Sequence, residues 1–347
     1  MTTKMHDLKD LDHAVSSKGD PYETLAVHLG PAVHAYRRRW DLAGRGELLP
    51  EFPLHLNIEI VYGCNLRCEF CAHSRPDRNI KNRTCRGKRL SFEQYKRIID
   101  EGRQRDLCSV ALNGFNEPLL QRDIADYVRY AADAGILEVS LHTNALLLNE
   151  SMSRFLLDCG LNIIMFSIDA FSRETYSQIR RGGDYDTVVS NITTFLELKG
   201  RLGLTLPLTR ASFVKTKVNA HEMEDFVAFW DRRTDYVMLQ GFCNMFVDED
   251  GYDAVEDRYR LDDQPFETCH LPWQRLSIAA DGAVLPCCSY FGLNMPVGHI
   301  EEGSLYDIWH GPRMRELRGT VNTQRRPASC DRCRRSAVGR NYRPNPS

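Results

Sequence analysis

From residue 55 onwards, the chain alternates short apolar runs with longer amphipathic stretches. Short runs rich in β-branched residues predict strands, whereas apolar positions spaced by three or four residues predict helices. Strands are predicted at 55–61, 108–113, 137–143, 163–169, 208–214 and 236–242. Six successive β/α units predict an α/β fold, a partial (β/α)6 barrel with helices outside a parallel sheet. The functional site is then expected at the C-terminal ends of the strands.

Helices are predicted between these strands. Ser91 has the residue type of an N-cap and precedes the amphipathic segment FEQYKRIIDEGRQ. Two further helical patterns end at Gly135 and at Gly160, because glycine readily adopts the left-handed conformation that terminates a helix. The remaining helices of the barrel are predicted at about 186–199 and 220–231.

The pattern changes after residue 262. The segment RLSIAADGAVLPCC predicts a hairpin around Asp281-Gly282, and GSLYDIWHGPRMRELRG predicts a helix that precedes a polar, arginine-rich tail. We therefore divide the chain into three segments. They are an N-terminal lead-in at 1–50, a barrel at 51–262 and a small hairpin-plus-helix extension at 263–347.

Composition narrows the classes of function. Hydrophobic residues make up 42% and charged residues 27% of the 347 positions, as in ordinary globular proteins. No apolar run is long enough to cross a bilayer, and the charged N-terminus lacks the apolar core of a secretory signal. A net charge of -2 provides no basic field for nucleic acid. We expect a cytoplasmic protein without a membrane or nucleic-acid partner.

Twelve cysteines are many for a chain in a reducing compartment, where metal ligation or catalysis explains them better than disulfides. Cys64, Cys68 and Cys71 follow the first predicted strand. A closed structural site usually has four protein ligands, so three thiolates suggest a metal centre with one position left for another ligand. The alternative is a zinc site completed by His73.

The spacing CxxxCxΦC, with Phe70 at the aromatic position, resembles the signature of the radical S-adenosylmethionine superfamily. The resemblance implies a [4Fe–4S] cluster whose open iron binds S-adenosylmethionine, and a 5′-deoxyadenosyl radical that abstracts hydrogen from a substrate C–H. Asn116-Glu117-Pro118 resembles the end of the family's GGE motif, which binds the methionine ammonium group. The preceding residues, Asn113-Gly114-Phe115, depart from the usual glycine run.

The same resemblance implies further contacts with the cofactor. Four polar residues at the ends of the third and fourth strands resemble the positions that meet the ribose and the methionine carboxylate: Thr143, Asn144, Ser167 and Asp169. Arg180, in TYSQIRRGGDYD, resembles the arginine of the family's IRG segment, and Arg181 is its alternative. Without the resemblance, these side chains would be interpreted as caps or solvated loop ends.

Four cysteines near the C-terminus are spaced as metal ligands: Cys269, Cys287, Cys330 and Cys333. Four thiolates make a closed site, and a zinc tetrathiolate is one alternative. With Gly282 before Cys287, the spacing resembles the SPASM/twitch extension of radical S-adenosylmethionine enzymes. No cysteine follows Cys333, so the resemblance implies the twitch form with one auxiliary [4Fe–4S] cluster. Cys288 is an alternative to Cys287 as a ligand.

A cluster with four protein ligands favours electron transfer over substrate binding. We therefore predict an oxidoreductase that removes two electrons from its substrate. The resemblance to twitch-containing alcohol dehydrogenases implies a small polar metabolite, such as an aminocyclitol or sugar in natural-product biosynthesis. An external one-electron reductant such as flavodoxin or ferredoxin is implied. The alternatives are a peptide maturase that crosslinks or epimerises a precursor, an epimerase with Cys243 as hydrogen donor, and a sugar decarboxylase or C–O lyase.

Polar residues within the predicted strands are candidates for substrate contacts. Glu59 on the first strand and Arg210 on the fifth are the candidate catalytic residues. Further candidates for the barrel interior are Asn57, His142 and Gln240. Strand alternation alone does not decide which face of the sheet each occupies, although an unpaired polar group is costly against the helices.

Overall fold

The computed structural model describes residues 14–15, 18–75, 85–246, 252–261 and 268–336. Its ten strands form one sheet: β1 Ala14–Val15, β2 His55–Ile58, β3 Ser109–Ala111, β4 Glu138–Thr143, β5 Ile163–Ser167, β6 Leu208–Lys215, β7 Tyr236–Gly241, β8 Arg275–Ile278, β9 Ala283–Leu285 and β10 Gly298–His299. Strands β2 to β7 are parallel and adjacent in chain order, as the sequence predicts. The fold is a partial α/β barrel.

Twelve α-helices are present in the described part of the chain: α1 Pro21–Leu29, α2 Ala32–Gly44, α3 Phe92–Gln104, α4 Ile124–Asp133, α5 Glu150–Asp158, α6 Arg173–Ile179, α7 Tyr185–Arg201, α8 Met223–Trp230, α9 Tyr252–Tyr259, α10 Leu305–Trp309, α11 Pro312–Thr320 and α12 Ala328–Arg335. Short 3₁₀ turns lie at Ala72–Ser74, Pro118–Leu120, Ala220–Glu222, Leu271–Trp273 and Tyr290–Asn294. None of these helices is long and apolar enough to cross a membrane.

Helix α3 begins as predicted at Ser91. The Ser91 side chain accepts from Gln94 N at 3.1 Å, and the Gln94 side chain accepts from Ser91 N at 2.9 Å, which completes a capping box. Helices α4 and α5 end just before Gly135 and Gly160, both of which have positive φ. These boundaries follow from local chemistry, so the sequence alone predicts them well.

The prediction of a single helix across GSLYDIWHGPRMRELRG is wrong. The segment forms α10 and α11, and the break falls at Gly311-Pro312. Proline lacks the amide hydrogen needed inside a helix but suits its first turn, so Pro312 begins a new helix. The sequence also missed α6, which lies between β5 and α7. The predicted domain boundary at residue 262 lies outside the described residues.

Strand alternation decides which side chains face the barrel interior. Leu56, Val110, Leu141 and Phe213 belong to the apolar core shared with the surrounding helices. Their polar neighbours in sequence therefore face the concave side of the sheet: Asn57, Glu59, His142, Arg210 and Ser212. The interior of the barrel is polar, as expected for a site that binds a charged cofactor.

The sheet does not close on itself within the described residues. Strand β8 pairs in parallel with β2, and β9 and β10 continue the sheet in antiparallel order. At the other edge, β1 pairs with β7. Hydrogen bonds between β2 and β8 thus join the C-terminal segment directly to the first strand of the barrel, and this pairing brings the two groups of cysteines close together.

Candidate functional site

A cavity lies at the C-terminal ends of the barrel strands. Cys64, Cys68 and Cys71 all line it, in the loop that follows β2. The loop is curled by its own hydrogen bonds: Cys71 N donates to the Cys68 carbonyl at 2.9 Å, and Leu66 N donates to Cys64 Sγ at 3.4 Å. Local curvature therefore directs the three sulfur atoms into one space.

The three thiols are suited to bind metal. Burial, together with a smaller effect of the neighbouring thiols, raises the pKa of Cys64 to about 11 and that of Cys71 to about 12. Three thiolates in one cavity would repel one another without a cation, which the irons of a cluster would supply. The donor set fits an iron–sulfur cluster with one iron left for another ligand.

His73 does not complete this site as a zinc ligand through its Nε2 atom. That nitrogen donates a hydrogen bond to the Phe115 carbonyl at 2.6 Å, and the ring stacks on Tyr62 with 5.1 Å between centroids. The imidazole therefore anchors the loop after β3 to the cysteine loop.

Glu117 is nearly fully buried and lines the cavity. Its Oε1 accepts from Thr143 Oγ1 at 2.7 Å and from Leu119 N at 3.1 Å, and its Oε2 accepts from Asn144 N at 2.7 Å. Burial raises the pKa of this carboxyl group, while these donors lower it. Glu117 thus joins the loops after β3 and β4 at the wall of the cavity.

Asparagine side chains supply further polar atoms. Asn116 Nδ2 is buried at the cavity wall and has no hydrogen-bond partner among the described residues, although Oδ1 accepts from Gly114 N at 2.8 Å. Asn144 Nδ2 donates to Asn65 Oδ1 at 2.7 Å and lies 3.9 Å from Cys64 Sγ. Ser167 lines the same cavity. The unpartnered amide of Asn116 is available to an acceptor on a bound ligand.

Arg180 and Asp169 form a pair beside the cysteines. Arg180 Nη2 lies 2.5 Å from Asp169 Oδ2, and its Nη1 lies 3.8 Å from Cys68 Sγ. Burial lowers the pKa of Arg180, but the Asp169 carboxylate and the Cys68 thiol outweigh this and raise it, so the guanidinium stays charged. Asp169 Oδ1 also accepts from Val214 N at 2.8 Å. Arg180 lines the cavity, and Asp169 orients it from behind.

The structure also shows where two other residues with predicted cofactor contacts lie, Phe70 and Arg181. Phe70 lines the cavity and packs edge-on against Phe242 and Tyr259, with centroids 5.9 Å and 5.5 Å away. Arg181 instead pairs with Glu69 at 3.3 Å, and its side chain is 53% exposed. Of the two arginines, only Arg180 is among the described residues that line the cavity.

The predicted barrel-interior residues differ in their relation to this cavity. His142 lines it, and burial followed by the charge of Arg210 lowers its pKa to about 3, so the imidazole is neutral. Arg210 is deeply buried, donates from Nε to Ser212 Oγ at 3.1 Å, and is not among the described lining residues. Glu59 Oε2 accepts from Phe115 N at 2.8 Å, so Glu59 supports the cavity wall.

A second cavity lies between the segment 287–295, which follows β9, and helix α12. Six cysteines line it: Cys243, Cys269, Cys287, Cys288, Cys330 and Cys333. Burial raises the pKa of Cys269 to about 12 and that of Cys330 to about 11, and neighbouring thiols add to both shifts. This donor set also fits an iron–sulfur cluster, with every iron held by protein sulfur.

The thiols of this cavity have different neighbours. Cys333 Sγ lies 3.3 Å from Ser289 Oγ, and Cys288 Sγ lies 3.7 Å from Arg275 Nη1. Cys287 Sγ packs against Gly292, where an added Cβ would lie 2.9 Å from the sulfur. Cys243 Sγ lies 3.4 Å from Ser336 Oγ, and Cys243 is not among the described residues of the first cavity.

Two wall residues escaped sequence reasoning. Phe115 and Met245 each line both cavities. The only signal for Phe115 was its position in the segment that departs from the family's glycine run, and Met245 had none. Cys108 and Cys159 are buried, as expected of small apolar residues.

Comparisons with known proteins agree with this geometry. The model of the radical SAM superfamily matches residues 58–229, and the model of an iron–sulfur cluster-binding domain, SPASM, matches residues 269–334. The chain belongs to the radical SAM superfamily. Cys64, Cys68 and Cys71 would hold the cluster that binds S-adenosylmethionine. The C-terminal cysteines would hold the auxiliary cluster: Cys269, Cys287, Cys330 and Cys333.

Individual proteins are also similar to this chain in sequence or in fold. A GTP 3′,8-cyclase of Alkaliphilus metalliredigens is 32% identical over 173 residues, which are 50% of this chain and 51% of that one. The chain thus spans about half the length of this curated relative. Streptococcus suis SuiB bound to the precursor peptide SuiA has TM-score 0.60 and 18% identity, covering 88% of this chain and 73% of SuiB. The structure of anSMEcpe with bound AdoMet has TM-score 0.56 and 18% identity, covering 76% of this chain and 82% of anSMEcpe. These structures share the fold.

Proposed function

We propose that this enzyme oxidises a small polar metabolite, such as an aminocyclitol or sugar in natural-product biosynthesis, by removing two hydrogen atoms from a C–OH or C–NH₂ group. The observation that carries the proposal is the second, thiol-lined cavity, which adjoins the first across Phe115 and Met245. A cluster with four protein thiolates has no open iron and is suited to accept an electron.

The bound cofactors supply the difficult chemistry, since the cluster and S-adenosylmethionine together provide the 5′-deoxyadenosyl radical. The protein binds and orients the cofactor and the substrate. Arg180 presents a charged guanidinium to the first cavity, and Asn116 Nδ2 presents an unpartnered donor. His142 is neutral there and can accept a hydrogen bond from a substrate hydroxyl.

The base of the barrel favours a small substrate. Helix α1 packs on it through Leu25, which lies in one apolar cluster with Ile163 and Leu208. Helix α2 packs beside it through Tyr36 and Trp40. The described N-terminal helices therefore belong to the barrel and exclude water from its interior, rather than forming a separate peptide-recognition domain.

The alternatives receive less support. SuiB was solved with a precursor peptide, which keeps a peptide maturase as the second candidate. An epimerase with Cys243 as hydrogen donor needs this thiol on the substrate side, whereas Cys243 lines the second cavity. A decarboxylase or C–O lyase requires no net electron transfer to the auxiliary cluster.

The test begins with anaerobic reconstitution of the full chain with iron and sulfide. We expect about eight irons per chain, falling to about four in a Cys64→Ala/Cys68→Ala/Cys71→Ala variant that forms no 5′-deoxyadenosine. Cys159→Ala, a buried thiol outside both cavities, is the control that keeps all iron. Zinc in place of iron in both sites would refute the proposal.

The reaction type requires substrate screening. Aminocyclitols and sugars are incubated with the reconstituted enzyme, S-adenosylmethionine and a reductant, and products are analysed by mass spectrometry. An oxidised product is lighter by two hydrogens. A product that has the mass of the substrate in H₂O and gains one deuterium in D₂O would indicate an epimerase, and turnover of precursor peptides alone would indicate a maturase.

A further inference from the structure

We propose that Phe115 and Met245 form a partition that keeps the S-adenosylmethionine cavity and the auxiliary-cluster cavity as separate compartments. Among the described residues, these two side chains line both cavities. A substrate in the first compartment would then reach its electron acceptor only across them.

Phe115 is held in place from three directions. Its amide donates to Glu59 Oε2 at 2.8 Å, and its carbonyl accepts from His73 Nε2 at 2.6 Å. Its ring meets Tyr290 edge-on, with 5.5 Å between centroids and 84° between the planes. The backbone is thus fixed by the barrel and the cysteine loop, while the side chain packs on the C-terminal domain.

Met245 occupies the other part of the wall. It packs against the apolar cluster of Ala72, Tyr290 and Phe291, which Phe115 also contacts. A flexible thioether fills irregular gaps well, which suits a contact between two domains. The cluster combines a residue of the cysteine loop with residues of the C-terminal domain, so both sides of the partition depend on the docking of β8 against β2.

Separate compartments have a chemical purpose. A radical formed in the first cavity must react with the substrate before water or a thiol intercepts it. Cys243 and Cys288 line the second cavity; Cys243 is outside the predicted ligand set, and Cys288 is in it only as the alternative to Cys287. A partition prevents these thiols from quenching the radical while the cluster beyond it remains within the adjoining space.

The test uses Cys243 as a reporter of access. Reconstituted wild-type enzyme, Phe115→Ala and Met245→Ala are treated anaerobically with iodoacetamide, with and without S-adenosylmethionine, and alkylation of Cys243 is followed by peptide mass spectrometry. S-adenosylmethionine fills the first cavity and should block any route through it.

We expect Cys243 of the wild type to react at a rate that is independent of S-adenosylmethionine. In Phe115→Ala and Met245→Ala the rate should rise about tenfold and return to the wild-type value when S-adenosylmethionine is bound, because the truncated wall joins the cavities. Met295→Ala is the matched control, since Met295 lines the second cavity and is not among the described residues of the first. Any increase in the alkylation rate of Cys243 in Met295→Ala should not depend on S-adenosylmethionine.

Iron content and thermal unfolding of each variant show whether it folds and holds both clusters. Rates in Phe115→Ala and Met245→Ala that match the wild type, or that rise without protection by S-adenosylmethionine, would overturn the proposal, as would no alkylation in any form. The inference rests on the proposed function only in placing S-adenosylmethionine in the first cavity. The readout needs no turnover, so failure to find an oxidised product would leave this result standing.

Discussion

The two cysteine-lined cavities are built in different ways. The first takes its three thiols from eight consecutive residues, 64–71, in one curled loop. The second collects thiols from chain segments as far apart as residues 243 and 333. The first also contains charged and amide groups such as Arg180 and Asn116, whereas aromatic and aliphatic side chains such as Phe291 and Leu271 surround the second. A site that binds a ligand keeps polar atoms free, and a site for electron transfer need not.

The largest expected effect separates the two sites completely. A Cys330→Ser/Cys333→Ser variant should lose the auxiliary cluster, so that iron falls from about eight to about four per chain. Because the first loop is independent, 5′-deoxyadenosine should still form while the oxidised product disappears. Iron analysis and chromatography measure both. Cys108→Ser, in a strand-edge position away from both cavities, should keep all iron, and loss of both clusters in the double variant would contradict this independence.

The next effect concerns the buried pair at the first cavity. Asp169→Asn should lower the free energy of unfolding by about 3 kcal/mol, because Arg180 keeps its charge without a buried carboxylate. Binding of S-adenosylmethionine should weaken, while the spectrum of the auxiliary cluster stays unchanged. Asp186→Asn breaks the exposed pair with Arg173 and should lower stability far less, because solvent screens this pair. Equal losses in the two variants, measured by thermal unfolding and calorimetry, would refute the role of Asp169.

Glu222 supports the first cavity from a distance. Its carboxylate accepts from Phe171 N, just before α6, and from Thr175 Oγ1 in the first turn of α6, both at 2.7 Å, and Arg180 is the C-cap of this helix. Glu222→Gln should lower the free energy of unfolding by about 1–3 kcal/mol at pH 7, whereas Glu224→Gln, at an exposed position of α8, should not.

The pH dependence follows from the pKa of Glu222. Burial raises this pKa, but hydrogen bonds from Ser172, Phe171 and Thr175 outweigh it and hold it below 4.5. A lowered pKa in the folded state stabilises the fold above the unfolded value, and this contribution is lost as pH falls through the folded value. The difference between wild type and Glu222→Gln in thermal unfolding should therefore shrink below pH 4.5. A constant difference would contradict this explanation.

The smallest effect tests the packing of the second cavity. An alanine at Gly292 would place its Cβ 2.9 Å from Cys287 Sγ and 3.3 Å from the Cys287 carbonyl. Gly292→Ala should shift this thiol and lower the occupancy of the auxiliary cluster, with little change in the first. Gly303→Ala points into open space and is the matched control. Full iron and an unchanged spectrum in Gly292→Ala would show that Cys288 or another thiol can replace Cys287.

Much of the barrel could be predicted because its signals are local. The capping box at Ser91 and the glycines after α4 and α5 set helix ends without tertiary help. The break at Gly311-Pro312 was also visible in the sequence, but the amphipathic pattern on both sides concealed it. Contacts between distant residues left no such signal, so the hydrogen bond from His73 to the Phe115 carbonyl and the one from the Phe115 amide to Glu59 could not be predicted.

The sequence by itself determined the strand order, the cysteine loop and the family, because each depends on residues close together in the chain. Tertiary structure decided which polar residues share a space. Pairing of β8 with β2 placed the second group of thiols beside the first, and the barrel interior placed His142 where burial and the charge of Arg210 keep it neutral. It also placed Cys243 in the second cavity and Phe115 between the two. Such arrangements depend on distances between chain segments that no local pattern encodes.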